Sequence, residues 1–470
     1  MHPDLKEALD GSKHMPMWLD RPDRPKVAPP LSGNVETELA IAGAGFTGLW
    51  ASILAKEAHP NLDVVVIEAG LVGVGASGRN GGFVSDTLTQ YQSDRQLGLP
   101  ENEPTMESLG RDNARGFLDT FERYDMNVDY EPTGFLHMAI QPHHVDALRA
   151  LYEADRKSGA ASTWLDREAV QKEVASSAFL AGHWTKEGRL GVLHPGRLVD
   201  GLREVACGLG VRLYENTPLT ELAKTGAGTD LLLRSAGGEI RARKVFLATN
   251  TFPNLIANNR RTLMAPVFEY ALATEPLSTA QMASIGWTQR QGLSGVENFF
   301  HYYRLTSDNR IMIGGGAPSY FLNEPKSFTG RDDPASFEGI ASYFFTVFPQ
   351  LAGLRFSHRW SGPIGIARDH SMHFGQAHDG RVVWAQGYTG QGVTASRFGA
   401  RASLALLGIG ETELTQLAFV RRGTSHWPPH ILRWLGGNIT FSALGKQDQN
   451  QGKPGLWLKM LDKIGFRIHL

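Results

Sequence analysis

The sequence has 470 residues with 47 Lys and Arg against 48 Asp and Glu, and its length passes the roughly 250–300 residues at which a single core stops growing, so two packed domains are expected. A formal net charge of −1 offers no field to a phosphate backbone, which argues against nucleic acid as a partner. One cysteine, Cys207, cannot form an internal disulfide, an iron–sulfur cluster or a cysteine-rich zinc site. The charged start lacks the apolar stretch of a secretory leader, and no run approaches the ~18 apolar residues of a membrane span, so a cytoplasmic protein is expected.

Residues 1–35, rich in proline between Pro22 and Pro30 and without a hydrophobic period, are read as an arm and linker. The segment ELAIAGAGFTGLWASILAKEAHPNLDVVVIEAG follows. In it a short apolar strand meets a glycine turn, a helix carries Leu49, Ile53 and Leu54 on one side, and a second strand from Val64 to Ile67 stops at Glu68. That is a βαβ unit. From about Gly110 to Leu180 the periods are mostly helical, as suits a cover over a site. His194 to Thr251 reads as a helix, a strand, a hairpin turning at Gly237-Gly238 and the buried strand VFLAT. Short strand-like segments prevail from about Pro266 to Phe348, including FEYALATEPL, FFHYYRLT and RIMIGGG, and predict an antiparallel sheet in a second domain. The strand RVVWAQGY, a glycine turn and the helix TASRFGARASLALLG return the chain to the first domain. A tail from about Glu411 ends in the amphipathic GLWLKMLDKIGFRIHL.

Gly43-Ala44-Gly45-Phe46-Thr47-Gly48 lies between a predicted strand and a predicted helix, where the motif has a physical basis. Its first glycine makes the tight turn, its second lets backbone approach a pyrophosphate at the helix N-terminus, and its third permits close helix–strand packing. Glu68 ends the next strand 20 positions after Gly48, the place of an acid for ribose hydroxyls. The glycine-rich loop Gly73-Val74-Gly75-Ala76-Ser77-Gly78-Arg79-Asn80-Gly81-Gly82 comes directly afterwards, so backbone there lies flat against something large, as a flavin requires.

On the GAGFTG turn, Glu68 and GASGRNGG, the chain resembles the D-amino-acid oxidase (DAO) superfamily of FAD-dependent oxidoreductases, in its γ-glutamylputrescine oxidase-like branch. The likeness continues through Tyr303-Arg304-Leu305-Thr306, Asp308-Asn309-Arg310, Gly314-Gly315-Gly316 and Gly387-Tyr388-Thr389-Gly390-Gln391-Gly392-Val393. It implies an α/β fold with a discontinuous Rossmann-like FAD-binding domain (36–90, 192–262 and 355–410), a second antiparallel-sheet α+β substrate domain (91–191 and 263–354) and a C-terminal tail (411–470). It also implies that Gly43 to Gly48, Glu68, Ala69, Gly75 to Gly82, Thr249, Gly387, Gly390, Gly392 and Val393 hold the cofactor, with Leu219 near the adenine. Cys207, expected to be a buried helical residue, and a GASGRNGG loop without histidine leave no covalent anchor, so FAD is expected to be non-covalent.

Oxidation of an amine by flavin needs a neutral nitrogen, with hydride leaving the neighbouring carbon for flavin N5 and an imine left to hydrolyse. Aromatic walls suit such a site. Tyr270, His301 and Tyr302 are therefore the candidate catalytic residues, with His301 and Tyr303 on one strand face and Tyr302 and Arg304 on the other. Two departures from the resemblance bear on substrate and acceptor. The turn that in amino-acid oxidases holds a carboxylate-clamping arginine reads Trp360-Ser361-Gly362-Pro363-Ile364-Gly365, which favours an amine lacking an α-carboxylate unless Arg304 or Arg368 replaces the clamp. The position of an oxygen-assisting lysine in sarcosine oxidase-like relatives is matched by Met312. The leading expectation is an enzyme oxidising a small primary or secondary amine, γ-glutamylated polyamine-like, with oxygen or another electron acceptor and no metal. The alternatives are an α-amino-acid or N-methyl-amino-acid oxidase of the same fold, and a flavin dehydrogenase whose tail makes weak membrane-surface contact and feeds a quinone. In the last, Leu456, Trp457, Met460, Leu461, Ile464 and Phe466 are interleaved with Lys459, Lys463 and Arg467.

Overall fold

The computed structural model describes residues 3–89, 94, 96–186, 189–225, 230–251, 263–322, 330–423 and 426–463. The last three residues of the amphipathic pattern, Ile464, Phe466 and Arg467, lie outside them. In chain order, the elements that place the site are α1 (Pro3–Leu9), β1 (Lys13–His14), β2 (Gly33–Ala42), α2 (Phe46–Ala58), β3 (Val64–Ile67), α3 (Pro195–Gly208), β4 (Arg212–Tyr214) and β5 (Gly238–Leu247). They continue with β6 (Met264–Thr274), β7 (His301–Leu305), β8 (Ile311–Ser319), α4 (Pro334–Val347), β9 (Phe356–Ala367), β10 (Val382–Gln386), α5 (Gly392–Leu406), α6 (His430–Gln449) and α7 (Leu456–Lys463).

Strand β2 is the centre of one sheet, with β3 parallel on one side, then β4, and β5 parallel on the other. The first half of β5 pairs with an antiparallel hairpin strand, and its end pairs in parallel with β10. All four residues of β3 are buried, because α2, α3 and α5 cover one face and hairpin residues Leu222, Leu231 and Leu233 cover the other, which leaves no room for polar alternation. Strands β2, β3, β5 and β10 end at Ala42, Ile67, Leu247 and Gln386. The residues that follow them are Gly43, Glu68, Ala248 and Gly387. The carboxyl edge of a parallel sheet is where α/β folds bind ligands, and here it gathers three segments that the sequence marks separately.

The second sheet has nine strands, in which β6 lies between β9 and β8, and β7 adjoins β8. Sequence reading groups residues 355–410 with the FAD-binding domain. The structure instead pairs β9 with β6 from Met264↔Ala367 to Ala273↔His358, so that stretch belongs to the large sheet and the first sheet resumes at the strand His373–Ala377. The physical reason is a ladder of backbone bonds along almost the whole of β9, stronger than any sequence-local preference. One face of the large sheet packs Tyr270, Leu272, Tyr303 and Leu305 against Phe337, Ile340 and Phe344 of α4. The other face packs Ala271, Ala273, Met312 and Trp360 against Met17 and Trp18.

The N-terminal arm is built into both units. Ala8 of α1 joins the α4 cluster, β1 pairs in parallel with β9, and Trp18 is wholly buried, edge-to-face with His194 and Trp360 at ring-centre separations of 4.8 and 6.5 Å. Arg24 then pairs with Asp200 of α3 at 2.9 Å, and the Leu31 amide donates to Thr217 at 3.0 Å. Cys207, expected in the core, is exposed on α3; the apolar period of that helix turns Leu198, Val199, Leu202 and Ala206 inward instead.

Candidate cofactor and substrate site

Gly43 leaves β2 with φ +106°, a conformation that side chains resist, and a Cβ there would stand 2.7 Å from the Ala248 carbonyl, next to Thr249. A Cβ on Gly48 would lie 1.9 Å from the Gly43 carbonyl, so α2 can approach the turn only as glycine. The buried Glu68 carboxylate accepts from the Ala44 and Gly70 amides at 2.8 and 3.0 Å. Burial pushes its carboxyl up, against those hydrogen bonds, while Ala69 beside it is exposed. The Thr217 amide donates to the Glu68 carbonyl at 2.8 Å, which carries Leu219 alongside, half-buried against the same sheet.

No side chain caps α2 at Gly45. Ser77, from a short turn of Ala76–Gly78 that Gly75 begins, accepts from the Phe46 amide at 2.8 Å, and the Thr47 hydroxyl donates to the Tyr388 hydroxyl at 2.9 Å. Asn80 ties its loop by donating to the Ser77 carbonyl at 2.8 Å and accepting from the Gly82 amide at 2.9 Å. Gly387, with φ +84°, packs on Met264 and Ala367 at the start of β6 and end of β9. Beyond Gly390, helix α5 opens at Gly392 and Val393 and directs its partial positive charge to the same edge. A glycine turn at a helix N-terminus, a buried acid at the next strand end and two flat glycine loops make a cradle that a Cβ would fill, and this donor set fits the diphosphate, ribose and ring of a flavin dinucleotide.

The loop between Arg79 and Gly82 meets the large sheet. Arg79 donates to the Val74 and Ser361 carbonyls at 2.9 and 2.7 Å, its methylene lies against Gly362, and burial draws its guanidinium down to about 10. The Trp360 indole donates to the Arg79 carbonyl at 2.9 Å. Gly81 faces the ring of Tyr302, which stands edge-on to Phe83 at 5.6 Å. Burial, and then the charge of Glu269, hold the Tyr302 phenol well above its ordinary range. Arg304, on the same side of β7, donates to the Leu193 carbonyl and lies 5.5 Å over the Trp18 ring; burial lowers it to about 10.

The three candidate catalytic residues are thus divided between two faces. Tyr302 faces the cofactor loop, whereas Tyr270 stands edge-on to Phe337 of α4 at 5.4 Å and His301 stacks on Tyr343 of α4 at 3.7 Å. Tyr343 donates to Glu297 at 2.8 Å. Against the upward push of burial, the neighbouring His301, 3.6 Å away, and the Tyr343 hydrogen bond hold that carboxyl below its usual range.

Sequence reasoning passes over Glu269, although alternation sets it opposite in sense to Tyr270 and on the side of Tyr302. It pairs in register with Gly362, the residue against Arg79. The ladder with β8 is interrupted beside it, between Phe268 and Tyr270. Glu269 is half-buried, and burial pushes its carboxyl up to about 7. The next residue along this face, Val267, lines a cavity of about 500 Å³ roofed by α6 and α7, which Ala265, Ile366, Trp427 and Phe441 also line and at which Arg368 stands exposed. Arg368 donates to the His426 carbonyl at 3.5 Å.

The tail packs on the protein itself through Leu461 and through the Trp457 indole, which donates to Thr440 at 2.9 Å. Ile431, Leu432, Leu435 and Ile439 of α6, with Leu456 and Met460 of α7, remain exposed. No helix among the described residues is long and apolar enough to cross a membrane.

A family model for FAD dependent oxidoreductases, DAO, matches residues 38–405. The chain is 28% identical over 382 residues to the Gamma-glutamylputrescine oxidoreductase of Escherichia coli (strain K12), covering 80% of this chain and 85% of that one. Among solved structures it shares the fold of glycine oxidase from Geobacillus kaustophilus, with TM-score 0.67 and 18% identity over 83% of this chain and 100% of that one. L-proline dehydrogenase from P. horikoshii gives TM-score 0.64 and 18% identity over 82% and 96% of the respective chains. The chain belongs to the DAO family of FAD-dependent oxidoreductases.

Proposed function

We propose that this FAD-dependent oxidoreductase acts on a small primary or secondary amine without an α-carboxylate, of the γ-glutamylated polyamine kind, and releases an imine that water hydrolyses. The observation that carries the reading is the state of the two arginines on the cofactor side of the sheet. Arg79 and Arg304 donate to backbone carbonyls, and a substrate carboxylate brought there would compete for donors already engaged in a buried site. When bound, FAD supplies a hydride acceptor for the carbon next to the substrate nitrogen. The chain's own part is positioning: Tyr302 and Phe83 form a dry wall, and the Gly73–Gly82 loop is pinned to the sheet by Arg79 and Trp360. The charge of Arg368 at the cavity suits a carboxylate at the far end of the substrate, as a γ-glutamyl group carries. The kinship with the E. coli γ-glutamylputrescine enzyme agrees with that reading.

Anaerobic bleaching of the flavin by matched amines and α-amino acids tests it. Amines are expected to bleach it at least tenfold faster, since an unpaired buried carboxylate is costly; faster bleaching by amino acids would transfer the assignment to an amino-acid oxidase. With Cys207 exposed on α3 and no histidine in the glycine loops, the FAD is held non-covalently, and acid precipitation is expected to leave the yellow colour in the supernatant.

The exposed apolar row on α6 and α7 supports a second reading for the acceptor, in which this surface touches a lipid headgroup layer and electrons pass to a quinone. Co-sedimentation with anionic vesicles that is lost in Leu435→Ser/Ile439→Ser is the expected result, and no sedimentation of wild type would remove this reading.

A further inference from the structure

Glu269 carries a charge on the cofactor side of the large sheet and has no hydrogen bond or ion pair among the described residues. Unpaired carboxylates are costly to bury, and each neighbouring element withholds compensation. On β9 the opposite residue is Gly362, and the Arg79 side chain that touches it directs its guanidinium to the Val74 and Ser361 carbonyls. On β7 the neighbouring titratable group is the Tyr302 phenol, and Arg304 beyond it is engaged with Leu193. Strand β8 offers Met312 and Gly314 on this face, with its ladder interrupted opposite Glu269. From α6, Arg433 donates to the Met264 carbonyl at 2.9 Å and to the Tyr320 hydroxyl. Among the described residues, Glu269 is thus left without an ion pair, between the aromatic wall of Tyr302 and the strand end whose Val267 lines a cavity.

Resting on the amine-oxidation reading, we propose that Glu269 is the proton acceptor for the substrate nitrogen. Its carboxylate pairs with the arriving ammonium, R–CH2–NH3+, and one N–H bond breaks as an O–H bond forms. This leaves the neutral amine R–CH2–NH2 with its lone pair and Glu269 as the neutral acid. The electron count is unchanged, and the amine is then in the form from which hydride can leave. The carboxyl, raised by burial to about 7, is ionised above that pH to meet the cation and is readily held as the acid once the proton has moved. The substrate class is an aliphatic amine that arrives protonated; a quaternary ammonium would bind and not react.

Holoenzymes of wild type, Glu269→Gln and Glu269→Asp decide it, with flavin content and circular dichroism confirming that each is folded. Butyltrimethylammonium, titrated through its perturbation of the flavin spectrum, is expected to bind wild type about tenfold tighter at about pH 8 than at about pH 6, and to bind E269Q weakly at both. Bleaching by putrescine is expected to show an acid limb near pH 7 in wild type. E269Q is expected to be roughly 10²–10⁴-fold slower without that limb, and E269D to restore the limb and part of the rate. A limb or a cation affinity that persists unchanged in E269Q overturns the proposal while leaving amine oxidation standing. Cation binding that depends on Glu269 without bleaching by any amine refutes the oxidation reading and the proton transfer with it, and leaves a cation site.

Discussion

The two faces of the large sheet carry similar residues and meet different fates. On the α4 face, Tyr343 bonds Glu297 and His301 stacks on Tyr343 with its Nδ1 3.6 Å from the Glu297 carboxylate; the Tyr303 hydroxyl and one Glu297 oxygen make no hydrogen bond among the described residues, and the cluster is packed under α4, away from the glycine loops. On the opposite face, Tyr302 meets Gly81 of the glycine loop, and Glu269 makes no hydrogen bond or ion pair among the described residues and follows, along the same strand face, Ala265 and Val267, which line a cavity. Polar residue type alone therefore does not identify a site; incomplete pairing beside an opening does.

The largest expected effect is on the cofactor face. In Gly81→Val a Cβ would stand 2.8 Å from the Tyr302 ring and 3.0 Å from Phe83, which pushes the loop away, and loss of most bound FAD is expected in the absorbance of the purified protein. Full FAD content would break the assignment of that face to the cofactor. A smaller effect comes from Glu269 itself. Its folded carboxyl, at about 7, lies above the ordinary 4.5, so its contribution to stability is intact below about pH 4.5 and is lost as pH rises through about 7. E269Q is expected to melt above wild type at about pH 8 and to converge with it near pH 4.5; parallel melting curves would mean the carboxylate is compensated after all.

On the α4 face, Tyr343→Phe removes one buried hydrogen bond and is expected to cost about 1–2 kcal/mol in denaturant unfolding while leaving putrescine bleaching within about twofold. A large loss of rate with unchanged stability would move the chemistry to that face. Last, Met312 is wholly buried with Trp18 and Trp360 and offers oxygen no cation. Slower reoxidation by oxygen than by a soluble quinone is therefore expected in stopped flow, and the reverse order would point to Arg304 as the helping charge.

The cofactor cradle was legible because its rules are local. Gly43, Gly45, Gly48 and Glu68 lie within one βαβ unit; Gly48 answers to Gly43 and the Glu68 carboxylate to Ala44, while only the Gly43 contact, with Ala248, comes from far along the chain. Alternation likewise separated Tyr302 from His301. What it left open was which face turns toward the glycine loops, since that depends on the Trp360–Arg79 and Gly362–Arg79 contacts, made by residues almost three hundred positions apart. Glu269 was in plain view, but the lack of a partner is a property of the packed protein. The arm carried no period because its buried residues, Met17 and Trp18, answer to β8 and β9 rather than to their own neighbours.

That arm has a consequence for how the molecule is made. Asp20 meets His358 at 3.0 Å across 338 residues of sequence, and β1 has no ladder until β9 exists. At roughly 10 residues per second, the arm leaves the ribosome about half a minute before its partner strand. During that time Trp18 can meet His194, but the Trp360 side of its packing is missing. Closure of the joint between the two sheets is therefore a late event of biosynthesis, and a nascent chain arrested before β9 should still expose the Trp360-facing side of its first tryptophan to solvent.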